Sequence, residues 1–282
     1  MYTNIKRGAV VVLIVIVAAM THSASAIDTL NPAVHCEKDT AEITAIVRKL
    51  NTEYDNAAER RMVAANMLKG RTHDTSETQD STGVVRINID TFTSVSYINT
   101  VEALTRAAGQ SQPSWIDFAR EYENLSCRRG EDSGFASVLR YGCDWISDNI
   151  YRGNIKELTE NYPGAVSKIK SVDYMSRNPE KFAALSNPEI FDKIELLDMG
   201  FKQHRLPYLK RQYISRKDIV ENLKDGDIIM MLTNADGLDI YAIYFVTKEN
   251  EKIYLTGLNP ETGEIETLKE PADRVFKTLA AH

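Results

Sequence analysis

The sequence has few of the residues that most often bind metals or form covalent cross-links. It contains three cysteines and five histidines in 282 residues. The cysteines lack the CxxC spacing of a zinc site and the histidines are scattered, so a structural zinc site is not expected. We expect neither a metal nor another cofactor.

The odd number of cysteines limits the disulfides that can form. Cys36, Cys127 and Cys143 allow at most one bridge within the chain, and three pairings are possible. Cys127 and Cys143 flank one short segment, which favours a bridge between them. Buried free thiols are an equally good interpretation, because a chain of this length can build its core without a disulfide scaffold.

The chain also has fewer basic than acidic residues, 34 against 40. The formal net charge is −6 at pH 7. Neither nucleic acid nor an anionic membrane surface is therefore an expected partner.

The N-terminal residues have the pattern of a secretory signal peptide over 1–26. Lys6 and Arg7 precede the apolar run 9–20, and Ala24-Ser25-Ala26 is a small-x-small cleavage pattern. A retained anchor is less favoured, because the run falls short of the roughly 20 residues that a spanning helix needs. We expect an exported protein, periplasmic or extracellular, with no membrane contact once the signal is removed.

The rest of the chain predicts one α+β domain over 40–282, preceded by a linker over 27–39. Apolar residues recur at helical spacing in the first part of the domain, and short strand-like runs separated by turn signals fill the last third. The predicted helical segments are 39–68, 94–108, 115–125 and 188–200. The predicted strands of an antiparallel meander are 206–214, 227–232, 238–246, 252–258 and 264–268. Helices first and strands later indicate the α+β class.

One turn has the architecture of a nucleophile site. The run 84–89 alternates like a short buried strand, and a helical pattern starts near Ser94. Thr91, Thr93 and Ser94 are all acceptable helix caps, so a small hydroxyl side chain lies at the positive end of a helix. Many enzymes hold an attacking group in such a turn.

Several local motifs occur in the order of a known family. They are Tyr141 with Asp144-Trp145-Ile146-Ser147-Asp148-Asn149, Tyr213-Ile214 with Lys217-Asp218-Ile219, Gly226-Asp227-Ile228-Ile229 and Gly237-Leu238-Asp239-Ile240. Over about 40–268 the chain resembles the secreted N-acetylmuramoyl-L-alanine amidase-like branch of the NlpC-type cell-wall peptidases. The resemblance implies a papain-like fold, with a helical N-terminal part packed on a small antiparallel sheet. It also implies cleavage of peptidoglycan amide bonds by a thiol at a helix start and a histidine base on a later strand.

The residues at the family's catalytic positions differ in this chain. The family's Asp-Cys-x-Thr falls on 90–93, which makes Thr91 the nucleophile position, and a register three residues later puts Ser94 there. The family's Ser-His-Val-Gly falls on 241–244, so Ala242 stands at the base position. A second family histidine falls near Gly257. Neither a thiol nor an imidazole occupies these positions.

Loss of these groups predicts a catalytically inactive relative. A general base contributes on the order of 10²- to 10⁴-fold in rate, and a hydroxyl is a far weaker nucleophile than a thiol. We therefore expect an exported protein that binds a peptidoglycan fragment or an envelope protein. The alternative is an active hydrolase that uses Thr91 or Ser94 with a non-standard base such as His204.

Five residues are candidates for ligand binding in such a degenerate cleft. They are Arg140, Tyr141, Trp145, Tyr241 and Tyr244. Arg140 replaces a family histidine and is a cation that could hold an acidic peptide. Tyr244 replaces a glycine, and it either fills part of the cleft or packs as an ordinary sheet residue.

Overall fold

The computed structural model describes residues 10–20, 36–79, 85–128 and 134–278. Most of the helices precede the last third of the chain. They are α1 Glu37–Glu53, α2 Ala57–Met67, α3 Ser94–Ala107, α4 Trp115–Ser126, α5 Gly142–Tyr151, α6 Tyr174–Arg177, α7 Pro188–Gly200, α8 Lys217–Asn222 and α9 Ala272–Thr278.

The strands form one large sheet and one small pair. They are β1 Val10–Ala19, β2 Thr72–His73, β3 Thr91–Phe92, β4 Ile155–Glu157, β5 Val166–Lys170, β6 His204–Lys210, β7 Ile228–Thr233, β8 Ile240–Glu249, β9 Lys252–Leu258 and β10 Ile265–Thr267. The large sheet has the order β10-β9-β8-β7-β1-β6-β5, and β4 pairs with the end of β1. Its neighbours are antiparallel. The predicted α+β class is confirmed, and so is the meander of the last four strands. The prediction that 206–214 belongs to this meander is wrong, because β1 lies between β6 and β7.

The helical stripe predicted over 39–68 is two consecutive helices. The second helix begins after Asn56, whose side chain caps α2 by accepting a hydrogen bond from the Glu59 N–H at 2.9 Å. The helices predicted over 94–108, 115–125 and 188–200 are confirmed as α3, α4 and α7.

The strand predicted over 84–89 is wrong. Val85, Ile87 and Ile89 are buried, but the strand in this region is the short β3, which pairs in parallel with β2. Val84 lies outside the described residues. Among the described residues of this run a β-bridge is assigned at Arg86 alone, so the alternating burial does not extend into a strand.

The apolar run of the predicted signal peptide contains β1, which lies between β7 and β6. The cleavage pattern at 24–26 and most of the linker lie outside the described residues, so export and processing stay predictions. Within the described ranges, no helix is long and apolar enough to cross a membrane.

The large sheet separates two hydrophobic clusters. The larger one contains Val95, Ile98 and Val101 of α3 together with Ile243 and Phe245 of β8. The smaller one lies on the other face and has these members from α8, α9 and the sheet: Ile219, Leu223, Ala272, Phe276, Met231, Ala242 and Tyr244. The helix that starts at the candidate site therefore packs on one face of the meander.

Candidate functional site

The two possible nucleophile positions lie on different elements at the start of α3. Thr93 is the N-cap: its Oγ1 accepts from the Ser96 N–H at 3.1 Å, and its own N–H donates to Ser96 Oγ at 2.9 Å. This capping box makes Ser94 the first helical residue. Thr91 lies before the cap in β3. Ser94 is thus the residue at the positive end of the helix.

Thr91 and its neighbour belong to the turn that leads into the helix. The Thr91 Oγ1 accepts a hydrogen bond from Asn88 Nδ2 at 2.8 Å. The Asp90 carboxylate receives Lys38 Nζ and Arg71 Nη1, each at 2.6 Å. The hydrogen bond from Lys38 lowers the pKa of Asp90, which stays ionised. These contacts hold the turn and do not activate the Thr91 hydroxyl.

The first turns of α3 are fixed in the core. Tyr97 donates from its hydroxyl to the Ala65 carbonyl at 3.1 Å, and its ring lies 5.8 Å from that of Phe245 in edge geometry. Asn99 accepts from Trp145 Nε1 at 2.8 Å. Ser94 itself is only 8% exposed. The helix start is therefore rigidly placed, as a nucleophile site would be.

Ala242 lies on the opposite face of the sheet from α3. It pairs with Met231 of β7 and is a member of the smaller cluster, whereas α3 packs in the larger one. The pairing register shifts between Met231 and Leu232, so Tyr241 and Ala242 belong to the same cluster. The structure does not bring Ala242 together with Ser94.

Tyr244 of β8 and Gly257 of β9 place a large and a small residue side by side. The two residues are directly paired. A Cβ atom at position 257 would lie 2.5 Å from the Ile243 carbonyl oxygen and 2.9 Å from Tyr244 Cδ1. A histidine therefore has no room at Gly257. Of the two interpretations of Tyr244, packing within the sheet is the one that this geometry supports.

The five residues expected to bind a ligand are buried. Their exposed fractions are Arg140 8%, Tyr141 1%, Trp145 1%, Tyr241 7% and Tyr244 2%. Arg140 donates to the Phe135 carbonyl, and its guanidinium carbon lies 3.8 Å from the centroid of the Phe135 ring. The Tyr141 hydroxyl accepts from the Met175 N–H at 2.8 Å. These polar groups bond within the protein rather than lining an open cleft.

The cysteines do not supply a relocated nucleophile. All three are free thiols, so the preferred Cys127–Cys143 bridge is wrong and the alternative of buried thiols is confirmed for this pair. Burial raises the pKa of Cys127 to about 12. Cys143 lies at the start of α5, but burial and the charge of Asp239 raise its pKa well above the usual value. Neither forms a thiolate at neutral pH. Cys36 is exposed and caps α1.

His204 is remote from the start of α3. It begins β6, whereas α3 packs on β8 and β9. Since β7 and β1 lie between β8 and β6, the separation is three strand spacings, roughly 14 Å. Its ring packs on Phe201, with 5.4 Å between the centroids, and burial lowers its pKa.

A different histidine lies beside the candidate site. His73 of β2 pairs in parallel with Phe92 of β3, two residues before Ser94, and the Asp74 N–H donates to the Phe92 carbonyl at 2.9 Å. Sequence reasoning missed it, because strands of two residues leave no periodic signal. Across the described ranges, no group of three or more His, Cys, Asp or Glu side chains could hold a metal ion.

A helix that starts with a small nucleophilic side chain and packs on an antiparallel meander defines a hydrolase-like α+β protein. The model of the AmiA-like family, described as N-acetylmuramoyl-L-alanine amidase-like, matches residues 64–270. This match covers well over half of the chain, and the chain belongs to that family.

Solved structures share the fold. An N-acetylmuramoyl-L-alanine amidase from Bacteroides uniformis has a TM-score of 0.68 at 23% identity, over 77% of this chain and 93% of the other. A Legionella pneumophila protein of the DUF1460 family has a TM-score of 0.65 at 16% identity, over 86% and 90% of the two chains. No curated protein matches the sequence.

Proposed function

We propose that this chain is an exported, papain-like member of the amidase-like family that does not hydrolyse peptidoglycan and instead binds a cell-wall peptide or another envelope ligand. The observation that carries the proposal is the set of side chains at the two catalytic positions of the resemblance. Thr91, or Ser94 in the later register, stands where the resemblance expects a thiol, and Ala242 stands where it expects a base, on the face of the sheet opposite α3.

The chemistry of these substitutions accounts for the proposed absence of peptidoglycan hydrolysis. A serine hydroxyl attacks an amide only when a base removes its proton, and general-base catalysis contributes on the order of 10²- to 10⁴-fold. The helix dipole can stabilise a thiolate at this position, but an unassisted hydroxyl stays protonated. Replacing both groups therefore removes hydrolysis at neutral pH, whereas replacing either one alone would leave part of it.

The packing of the meander supports a binding role at the rim rather than in a deep cleft. The Ile243 carbonyl and the Tyr244 ring leave no room for a side chain at Gly257, and the five predicted binding residues are buried. A ligand would therefore meet the partly exposed turn before α3. Lys38, whose side chain is 62% exposed, and Arg71, which is 29% exposed, are cations at this turn that suit the carboxylates of a cell-wall peptide.

Co-sedimentation with purified peptidoglycan tests the binding role. We expect the full chain to sediment with peptidoglycan without releasing new amino groups, and Lys38→Ala to weaken sedimentation. Lys252→Ala, which removes an exposed cation from β9, is the matched control and should bind like wild type. Failure of wild type to sediment would refute binding to peptidoglycan and leave an envelope protein as the ligand class to test.

A second candidate function is hydrolysis by Ser94 with His73 as a non-standard base. The pairing of His73 with Phe92 favours it, because it puts an imidazole one strand away from the residues that lead into α3. This version predicts slow release of muropeptide amino groups that is lost in both Ser94→Ala and His73→Gln. Equal release by wild type and both variants would exclude it.

A further inference from the structure

The apolar run near the N-terminus occupies an interior position in the large sheet. On one side β1 pairs with β7 through Val15 opposite Met230, Ile16 opposite Ile229 and Val17 opposite Ile228. On its other side it pairs with β6 and then with β4. Every one of these pairings is antiparallel, so β6 and β7 run parallel to each other on either side of a slot one strand wide.

The side chains of β1 contribute to both cores. Val15, Ile16 and Val17 are at most 1% exposed. Val15 and Val17 belong to the larger cluster, and Ile16 belongs to the smaller one. This alternation is that of a strand covered on both faces. Both faces of the slot therefore fit an extended apolar segment.

The backbone of β1 also makes hydrogen bonds to residues outside the paired strands. The Ile16 N–H donates to Thr159 Oγ1 at 2.8 Å, and the Ile16 carbonyl accepts from the Leu158 N–H at 2.8 Å. The Met20 N–H donates to the Asn154 carbonyl, again at 2.8 Å. Asn154 in turn accepts from Arg106 of α3 through its side chain at 2.7 Å. The end of β1 is therefore linked to the helix of the candidate site.

We propose that the slot between β6 and β7 is a strand-acceptor site whose ligand is the segment 10–20 of this chain. The site holds that segment through backbone pairing on both edges and apolar packing on both faces, without needing the covalent link through 21–35. A chain cut after Ala26 then keeps its own N-terminal fragment bound. The predicted signal sequence thereby has a second role as a strand of the folded protein.

The test uses the full chain with a site-specific protease sequence inserted after Ala26. The folded protein is cut, passed through size-exclusion chromatography under native conditions, and analysed by mass spectrometry. We expect fragment 1–26 to elute with the body and to separate only in denaturant. A fragment that elutes alone, from a body whose unfolding midpoint is unchanged by the cut, would overturn the proposal.

Two matched substitutions distinguish specific binding of the fragment in the slot from nonspecific binding to the body. Val17→Asp puts a carboxylate at a position that is 0% exposed, whereas Met20→Asp puts the same group at one that is 41% exposed. We expect retention of the fragment to fall about tenfold or more in Val17→Asp, because a buried charge is strongly disfavoured, and to be unchanged in Met20→Asp. Equal retention of the fragment in the two variants would contradict its binding in the slot. If Val17→Asp prevents folding, Ile16→Ala takes its place, because it only removes apolar volume at a position that is 0% exposed; we expect it to lower retention relative to Met20→Ala, and equal retention would contradict the proposal.

Discussion

Tyr244 and Gly257 face each other across β8 and β9, and the tyrosine ring takes the space that a side chain at position 257 would need. The resemblance to the amidase-like family expects the reverse arrangement, a glycine at 244 and a histidine near 257. In terms of that resemblance, the large and the small residue stand in exchanged positions across one strand pair. Burial raises the pKa of Tyr244, so its hydroxyl stays neutral and is not a substitute base at physiological pH.

Gly257→Ala tests this packing. The added methyl group would lie 2.5 Å from a backbone oxygen, so we expect a loss of about 1–3 kcal/mol in the free energy of unfolding, as is typical of overpacked cores. Gly200→Ala is the control, because a Cβ atom there meets nothing within 4 Å. Urea unfolding of both variants gives the comparison. Equal stability of the two would show that the Ile243 backbone and the Tyr244 ring leave room for a side chain at position 257.

Much of the fold follows from local patterns in the sequence. Helix α3 is predictable because Val95, Ile98 and Val101 recur at helical spacing, and the meander is predictable because turn residues such as Gly237 separate its strands. Gly237 has φ +72°, which few other residues adopt readily. The pairing of β2 with β3 is not predictable, because two residues carry no period and parallel partners are distant in sequence.

The candidate site is predictable only in part. Sequence alone leaves Thr91 and Ser94 as alternatives, since both suit a helix start, and the capping box of Thr93 shows that Thr91 precedes the helix and Ser94 begins it. The face on which Ala242 lies also depends on the register shift beside it. A shift of one residue moves side chains to the opposite face of a strand, so spacing alone cannot assign them.

The buried pair between Arg61 and Glu102 should be essential for anchoring α3 on α2. Arg61 Nε and Nη2 donate to the two carboxylate oxygens of Glu102 at 2.5 and 3.1 Å. We expect Arg61→Met to cost about 3–5 kcal/mol, because it leaves a carboxylate buried without its partner. Arg205→Met breaks an exposed pair with Glu160 and should cost about 0–1 kcal/mol. Thermal and denaturant unfolding measure both, and similar costs would contradict this assignment.

Thiol titration should separate Cys36 from the other two cysteines. We expect one thiol to react rapidly with an aromatic disulfide reagent in the native chain, and all three to react in denaturant. The physical reason is burial, which also raises the pKa of Cys127 to about 12. Cys36→Ser should abolish the rapid phase. Rapid reaction of Cys143 in the native state would point instead to a relocated nucleophile.

Lys170 should give stability a measurable dependence on pH. Its Nζ donates to the carbonyls of Thr233 and Ala235 at 2.8 and 2.6 Å, and burial lowers its pKa to about 8 from 10.5. Between these values the unfolded chain binds one proton more than the folded chain, so stability rises with pH there.

Comparison with Lys170→Met isolates this effect. We expect the free energy of unfolding of wild type, relative to Lys170→Met, to be flat below about pH 8 and to rise toward pH 10.5. Lys252→Met changes an exposed lysine, and its free energy of unfolding should have the same pH dependence as that of wild type. A difference that falls across this range would mean that the fold stabilises the charged form of Lys170.

The most direct test of the account is the rate at which the pure full chain releases amino groups from muropeptides at neutral pH. Wild type, Ser94→Ala and His73→Gln are measured at equal concentration, with circular dichroism confirming that each is folded. We predict that all three release amino groups at the rate of buffer alone. Clear release by wild type that disappears in Ser94→Ala would show that Ser94 is a working nucleophile and would contradict the account.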